Sequence, residues 1–207
     1  MCALVLASKS PRRAVLLRLL VDDFTIDGVD VEEVAPRALS VGDAVEVIAR
    51  KKAMAASQRN PDAWCLAADT VVVLHDQLVD KAKDELDMRR KLAQLQGETH
   101  QVWTGLALAW EGRIIDGGQA VSAVHVDRLP LAVLDAYAAS GAWQGKAGGY
   151  GVQDPLLKPF VQVKSGPWSN VVGLPLLATR DLLQRNGLAC KAPPDESALA
   201  SSPLFTP

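Results

Sequence analysis

The stretch Leu4-Val-Leu-Ala-Ser-Lys-Ser-Pro-Arg-Arg13 constrains the fold more than any other part of the chain. Apolar Leu4 to Ala7 reads as a buried strand. Ser10 then stands at an N-cap position, and Pro11 follows at the first helical position, where a missing N–H costs nothing. A strand therefore passes directly into a helix. Arg12 and Arg13 emerge in the first helical turn, beside free backbone N–H groups and the positive end of the helix dipole. The dipole disfavours cations there. An anion that takes up both the N–H groups and the guanidinium forks resolves the conflict, and phosphate is the common one. The plain alternative is a pair of solvated surface charges.

Composition narrows the partners. A chain of 207 residues that is 49% hydrophobic can bury one substantial core. With 22 basic and 24 acidic residues its net charge is −2, so no global field draws in nucleic acid or an acidic membrane. There is no interleaving of aromatic and basic residues either, which argues against nucleic-acid binding. Cys2, Cys65 and Cys190 are odd in number, far apart and outside any C-x-x-C pattern, which argues against a disulfide framework or zinc site and fits a reducing compartment. The segment before Lys9 is too short for a signal peptide, and no run approaches about 18 apolar residues. The expectation is a cytoplasmic protein.

Along the chain, Pro11 to Val21 reads as an amphipathic helix and Phe24 to Ile26 as a short strand. The acids of Val29-Asp-Val-Glu-Glu33 that follow suit either solvent or a divalent metal. Asp43 to Gln58 is a second helix, whose Arg50-Lys51-Lys52 run reads as an exposed face unless Lys52 turns inward to a phosphate. Trp64 to Leu74 reads as a buried strand with one acid, Asp69, set in an apolar and β-branched run. A buried carboxylate needs a partner, a metal or a function; otherwise Asp69 caps a turn between two short strands. A third helix opens at Asp84-Glu85 and ends at Gly97. Strands follow over His100 to Trp110, Arg113 to Asp116 and Gln119 to Val126, then a short helix over Leu131 to Ala139. Gly145-Lys-Ala-Gly-Gly-Tyr-Gly-Val-Gln153 holds four glycines, which let backbone approach a ligand closely, but it is neither a dinucleotide fingerprint nor a Walker loop. Phe160 to Val163 is a strand, Gly166 to Asn170 a turn, and Leu176 to Arg185 a final helix. Trp103, Trp110, Trp143 and Trp168 read as core or interface rather than base-stacking residues, and His100 and His125 as structural. The expected organisation is one domain over residues 1–189 and a disordered tail over residues 190–207.

Four stretches together resemble the Maf family of nucleoside triphosphate pyrophosphatases. They are Leu4 to Arg13, Ala67-Ala-Asp-Thr-Val-Val-Val73, Lys146-Ala-Gly-Gly-Tyr-Gly-Val-Gln153 and Val171-Val-Gly-Leu-Pro175. Val31-Glu-Glu33, Ile48 to Ala53 and Gly97 to Gly105 fit as well, so the resemblance runs in order from residue 3 to about 188. It implies an α/β fold similar to the inosine triphosphate pyrophosphatases, with an elongated curved mixed sheet, flanking helices and a central cleft. It also implies cleavage of a nucleoside triphosphate to monophosphate and pyrophosphate with a divalent metal, Mg²⁺ or Mn²⁺, and a homodimer.

Lys146, Tyr150 and Gln153 match the branch acting on dTTP and UTP, and modified pyrimidine triphosphates such as pseudo-UTP and 5-methyl-UTP are implied with them. The 7-methyl-GTP branch is similar to a different pattern here. Carried over by residue, the resemblance makes Asp69 the proton acceptor and Arg12, Thr70 and Gln153 the selectivity positions. Arg13, Lys52, Lys81 and Lys146 become phosphate ligands, and Glu33 with Asp69 metal ligands. One departure is Asp80-Lys-Ala82 where the family commonly has Gly-Lys-Pro, which leaves the loop around Lys81 more flexible; Lys9 and Ala67 also replace commoner small residues. The amide of Gln153 offers the donor and acceptor that match O4 and N3–H of uracil and thymine. Thr70 would contact ribose or phosphate. From a different class, a nucleotide-binding regulator of cell division is the alternative function, while a cysteine hydrolase lacks any motif.

Overall fold

The computed structural model describes residues 3–36 and 38–205, so Cys2 lies outside the described residues. The fold is α/β: a seven-stranded mixed sheet flanked by helices, with strand order β2-β1-β3-β5-β6-β7 and β4 beside β3. β1 (Ala3–Leu6) pairs in parallel with both β2 (Thr25–Ile26) and β3 (Ala63–Leu74), Val5 standing opposite Thr25 and Cys65. α1 (Pro11–Arg18) follows β1 as expected. Its capping differs: Ser10 has an extended backbone but makes no side-chain cap bond, and its N–H instead donates to Ser8 Oγ at 3.2 Å.

The chain forms two compact units, each built from several separate stretches of sequence. The first unit comprises residues 1–70, 104–120 and 173–195, and the second comprises residues 71–103, 121–172 and 196–207. β3, β5 (Thr99–Trp110) and β6 (Arg113–Val126) contribute residues to both.

In the first unit, α2 (Val41–Arg59) buries a face of alanines, Ala49, Ala53 and Ala56, against Val5, Ala7, Cys65, Ala67, Ala107 and Ala109. Small residues on both sides allow a short helix-to-sheet distance. At Gly105 the approach is so close that a Cβ would sit 2.4 Å from the Glu46 nitrogen, so only glycine fits. α2 opens on Ser40, whose hydroxyl accepts from Asp43 N–H. Its far end is held by Ser57 Oγ, which accepts from Gly112 N–H at 2.9 Å. α6 (Leu176–Arg185) buries Leu176, Thr179, Leu182 and Leu183.

In the second unit, His75 and Asp76 take positive φ and make a two-residue hairpin into β4 (Gln77–Val79), a strand too short to leave a periodic signal. α3 (Glu85–Leu95) buries Met88, Leu92 and Leu95 and packs on α4 (Leu131–Ser140) and on the turn Ala147–Gly149. β7 (Val161–Ser165) pairs antiparallel with β6. The stretch read as a turn before Val171 is a short helix, α5 (Trp168–Val172). The region expected to be a disordered tail contains α7 (Glu196–Ser201). Two contacts order it: Leu199 is buried, and Glu196 accepts from Ser169 N–H at 2.7 Å and Ser169 Oγ–H at 2.6 Å.

Candidate active site

Asp69 lies in the unbroken middle of β3, so it does not cap a turn between two strands. Its carboxylate is buried, and its partner is the equally buried Lys52, whose Nζ donates to Asp69 Oδ1 at 2.6 Å. The helical period selects Lys52 from its basic run. It shares the inward face of Ala49, Ala53 and Ala56, whereas Lys51 reaches out to the Val34 carbonyl and Arg50 to Glu46. The same Nζ donates to Glu33 Oε1, also at 2.6 Å. Two carboxylates therefore converge on one cationic centre, with Glu33 half-open to solvent.

That donor set fits the metal implied by the sequence. Mg²⁺ and Mn²⁺ prefer hard oxygens, and Mg²⁺ commonly takes only one or two carboxylates, leaving the rest of its shell to water and phosphate. Among the described residues no group of three or more His, Cys, Asp or Glu side chains is arranged to hold a metal. Glu33 and Asp69 are the two carboxylates that meet at the Lys52 ammonium.

Arg13 leaves the first turn of α1 and is tied down by three acceptors. Its Nε donates to the Gly173 carbonyl at 2.8 Å, and its two terminal nitrogens donate to Ser8 Oγ at 3.3 Å and Thr70 Oγ1 at 3.0 Å. Gly173 has φ +123°, a conformation that only glycine adopts easily and that turns its carbonyl to the guanidinium. Thr70 Oγ1 also lies 2.9 Å from Thr104 Oγ1. Burial lowers the Arg13 pKa, the Asp69 carboxylate opposes that shift, and the neighbouring Arg12 charge adds to it. Arg12 is half-buried one position earlier on α1.

The glycine-rich stretch lies in the second unit and gathers a separate cluster. Lys146 Nζ donates to Asp154 Oδ1, Gln153 Nε2 donates to the same oxygen at 3.2 Å, and Tyr137 O–H donates to Asp154 Oδ2 at 2.7 Å. Gln153 also borders a cavity of about 310 Å³, lined further by Lys158, Trp168, Ala200 and Ser202. Tyr150 is buried with its hydroxyl 2.6 Å from His100 Nε2. Burial raises the Tyr150 pKa and depresses that of His100 to about 4. Lys81 lies on the exposed segment between β4 and α3.

The structure thus joins Lys52, Glu33 and Asp69 in one cluster, Arg13 and Thr70 in a second, and Lys146 and Gln153 in a third. Sequence reasoning missed Asp154, Ser8 and Thr104. The side chains it read as structural are engaged within the fold: Trp110 packs on Trp64, and Trp143 Nε1 donates to the Ala138 carbonyl. His125 Nδ1 lies 3.1 Å from Thr99 Oγ1. Cys65 and Cys190 are free thiols. Burial pushes the Cys65 thiol up to about 11, the wrong direction for a nucleophile. No helix among the described residues is long and apolar enough to cross a membrane.

Known proteins resemble this chain along most of its length. The dTTP/UTP pyrophosphatase of Sphingopyxis alaskensis is 42% identical over 193 residues, covering 91% of this chain and 98% of that protein. The dTTP/UTP pyrophosphatase of Paramagnetospirillum magneticum is 42% identical over 192 residues, covering 91% and 100%. Among solved structures, the Staphylococcus aureus Ham1 protein is a distant likeness at 14% identity and a TM-score of 0.43, covering 60% of this chain and 71% of that one. The sequence model of the Maf-like proteins matches residues 3–186, a span that takes in the strand-to-helix junction, Asp69 and Gln153, and the chain belongs to that family.

Proposed function

We propose that the protein hydrolyses dTTP and UTP, and modified pyrimidine triphosphates of the same base edge, to the monophosphate and pyrophosphate. The observation that carries this reading is the convergence of Asp69 and Glu33 on a single cationic centre. The substrate class comes from the two relatives, both dTTP/UTP pyrophosphatases. Glu33 and Asp69 would hold the divalent cation, Mg²⁺ or Mn²⁺, which when bound neutralises phosphate charge and draws electron density from the phosphoryl group.

The chain's own residues supply the rest. Asp69 accepts the proton of the attacking water as its oxygen bonds to the α-phosphorus and the bridge to the β-phosphate breaks. A triphosphate carries roughly four negative charges, so several cations must meet it. Arg13 uses three of its five N–H donors within the protein, which leaves a guanidinium already oriented for phosphate oxygens. Arg12, Lys52, Lys81 and Lys146 complete the cationic set in this reading, Arg12 and Thr70 contribute to selectivity, and Gln153 reads the base. The same reading has the enzyme act on free nucleotides in the cytoplasm as a homodimer.

A regulator that only binds nucleotide has no use for a buried carboxylate among phosphates, which repels the ligand unless a cation intervenes. The deciding assay is pyrophosphate release with Mg²⁺ or Mn²⁺ across dTTP, UTP, CTP, the purine triphosphates and 7-methyl-GTP. Turnover confined to dTTP and UTP is expected; activity mainly on 7-methyl-GTP would overturn the substrate assignment. Asp69→Asn, folded as judged by circular dichroism, is expected to lose about 10²- to 10⁴-fold in kcat. Full turnover in that variant would remove Asp69 from the chemistry.

A further inference from the structure

A glutamine amide does not by itself tell uracil from cytosine. Turned one way, its N–H and C=O match O4 and N3–H of uracil; flipped by 180°, they match N3 and the amino group of cytosine. Something must fix the amide before Gln153 can select, and we propose that Asp154 does so. Gln153 Nε2 donates to Asp154 Oδ1 at 3.2 Å. In the flipped state the Gln153 carbonyl oxygen would face that carboxylate oxygen, two acceptors with no proton between them. The carboxylate has no freedom to turn away. Lys146 Nζ donates to the same oxygen, Tyr137 holds the other at 2.7 Å, and Asp154 and Lys146 are both buried.

The backbone is shaped around this cluster. A Cβ on Gly151 would lie 2.6 Å from Gln153 Nε2, 2.8 Å from Asp154 Oδ2 and 2.9 Å from Lys146 Nζ. All three polar groups therefore crowd the one position without a side chain. One Nε2 proton is committed to Asp154; the second proton and the carbonyl oxygen make up the edge presented to the base. That edge complements uracil and thymine and opposes cytosine. Asp154 is thus a positioning residue that turns an ambiguous amide into a selective one.

This inference rests on the reading of Gln153 as the residue that contacts the pyrimidine. Its test compares kcat/KM for UTP and CTP in the wild type, Gln153→Ala, Asp154→Asn and Tyr137→Phe. An asparagine at 154 can donate as well as accept, so it tolerates both amide orientations. Asp154→Asn is expected to lower the UTP:CTP ratio by about tenfold or more, mainly by raising CTP turnover, because the flipped amide no longer faces a bare acceptor. Tyr137→Phe removes one of the two bonds that hold the Asp154 carboxylate in place but leaves its bond to Lys146, so it should lower the ratio in the same direction and by less than Asp154→Asn. A Tyr137→Phe effect larger than that of Asp154→Asn would overturn the assignment to Asp154. A purely structural role for Asp154 would lower both activities together and leave the ratio unchanged. If Gln153→Ala lowers the ratio and Asp154→Asn does not, the inference fails while the base-reading role stands; if neither lowers it, the base-reading role fails first. Should Asp154→Asn not fold, the wild-type side-chain amide resonances decide. The Gln153 pair, identified by its loss in Gln153→Ala, is expected to show one proton exchanging slowly and one fast. Two equally fast protons would overturn the proposal.

Discussion

The two units each bury a lysine against a carboxylate, and the two pairs are built in opposite ways. In the first, one ammonium serves two carboxylates, Asp69 and Glu33, and Glu33 remains half-exposed. Both carboxylates share that ammonium and also act on the nearby Arg13 guanidinium. In the second, one carboxylate, Asp154, serves three donors from Lys146, Gln153 and Tyr137. Charge balances there, and both oxygens are engaged. Two carboxylates around one cationic point make a place that a harder cation can share or take over. A saturated carboxylate makes a fixed reference against which a neighbour is oriented. In the proposed function the first cluster serves the chemistry and the second serves selection.

Removing each lysine tests the contrast most severely. Lys146→Met leaves Asp154 buried without its counter-charge and is expected to cost about 3–5 kcal/mol of stability. Added Mg²⁺ should not recover that loss, because the remaining donors close the site. Lys52→Met also strips a buried carboxylate, but Asp69 and Glu33 still converge, so millimolar Mg²⁺ is expected to restore much of the lost stability through mass action. Urea unfolding of both variants, with and without Mg²⁺, gives the answer. Equal rescue of both, or of neither, would erase the distinction between the clusters.

How much of this was legible in the sequence depends on how local each signal was. Asp69 stood out because a lone acid in a run of apolar and β-branched residues has few innocuous explanations. Lys52 was half legible: its run looked exposed, yet the alanines at 49, 53 and 56 mark the buried face of α2, and position 52 falls on it. Asp154 was not legible. Gln153 is its neighbour in the sequence, but nothing local marks the carboxylate as special, and Tyr137 and Lys146 reach it only in the folded chain. β6 is one strand where Arg113 to Asp116 and Gln119 to Val126 read as two stretches, and Gly117 and Gly118 lie at the join. A Cβ on Gly117 would meet Glu46 Oε1 at 2.8 Å and the Leu106 carbonyl at 3.0 Å.

Acid should separate the two units as well. His100 in the second unit has an ordinary value near 6.5 when unfolded and about 4 when folded, because burial disfavours the imidazolium and His125 adds to the effect. Below about pH 6.5 the unfolded chain takes up a proton that the folded chain refuses, so stability falls as pH drops toward 4. At pH 5 the loss is about 2 kcal/mol relative to neutral pH. In the first unit, Asp116 is held below its ordinary 3.8 by Arg185 and Asn186. Its contribution is present above 3.8 and lost only as pH falls below it. Between pH 7.5 and 5, then, Asp116 adds little to the slope and His100 steepens it. Comparing urea midpoints at those two pH values, the wild type is expected to lose stability and His100→Gln to lose markedly less; parallel losses would show that burial of His100 does not set the acid response.

The smallest effect concerns a carboxylate saturated like Asp154 but lacking a lysine. Glu196 accepts from Ser169 N–H and Oγ–H and fixes the start of α7, while Leu199 anchors its far side and Ala200 and Ser202 line the cavity bordered by Gln153. Glu196→Gln keeps one acceptor oxygen and replaces the other with a donor, so about 1 kcal/mol is expected to be lost. In a domain of this size that corresponds to about 2–4 °C in Tm. The loss should be far below that of Lys146→Met, because no buried charge is left behind. If saturation alone made a carboxylate costly to disturb, the two variants would lose comparable stability. A much smaller loss in Glu196→Gln would assign the difference to the buried ammonium, and with it the rigidity that lets Asp154 hold Gln153 in one orientation.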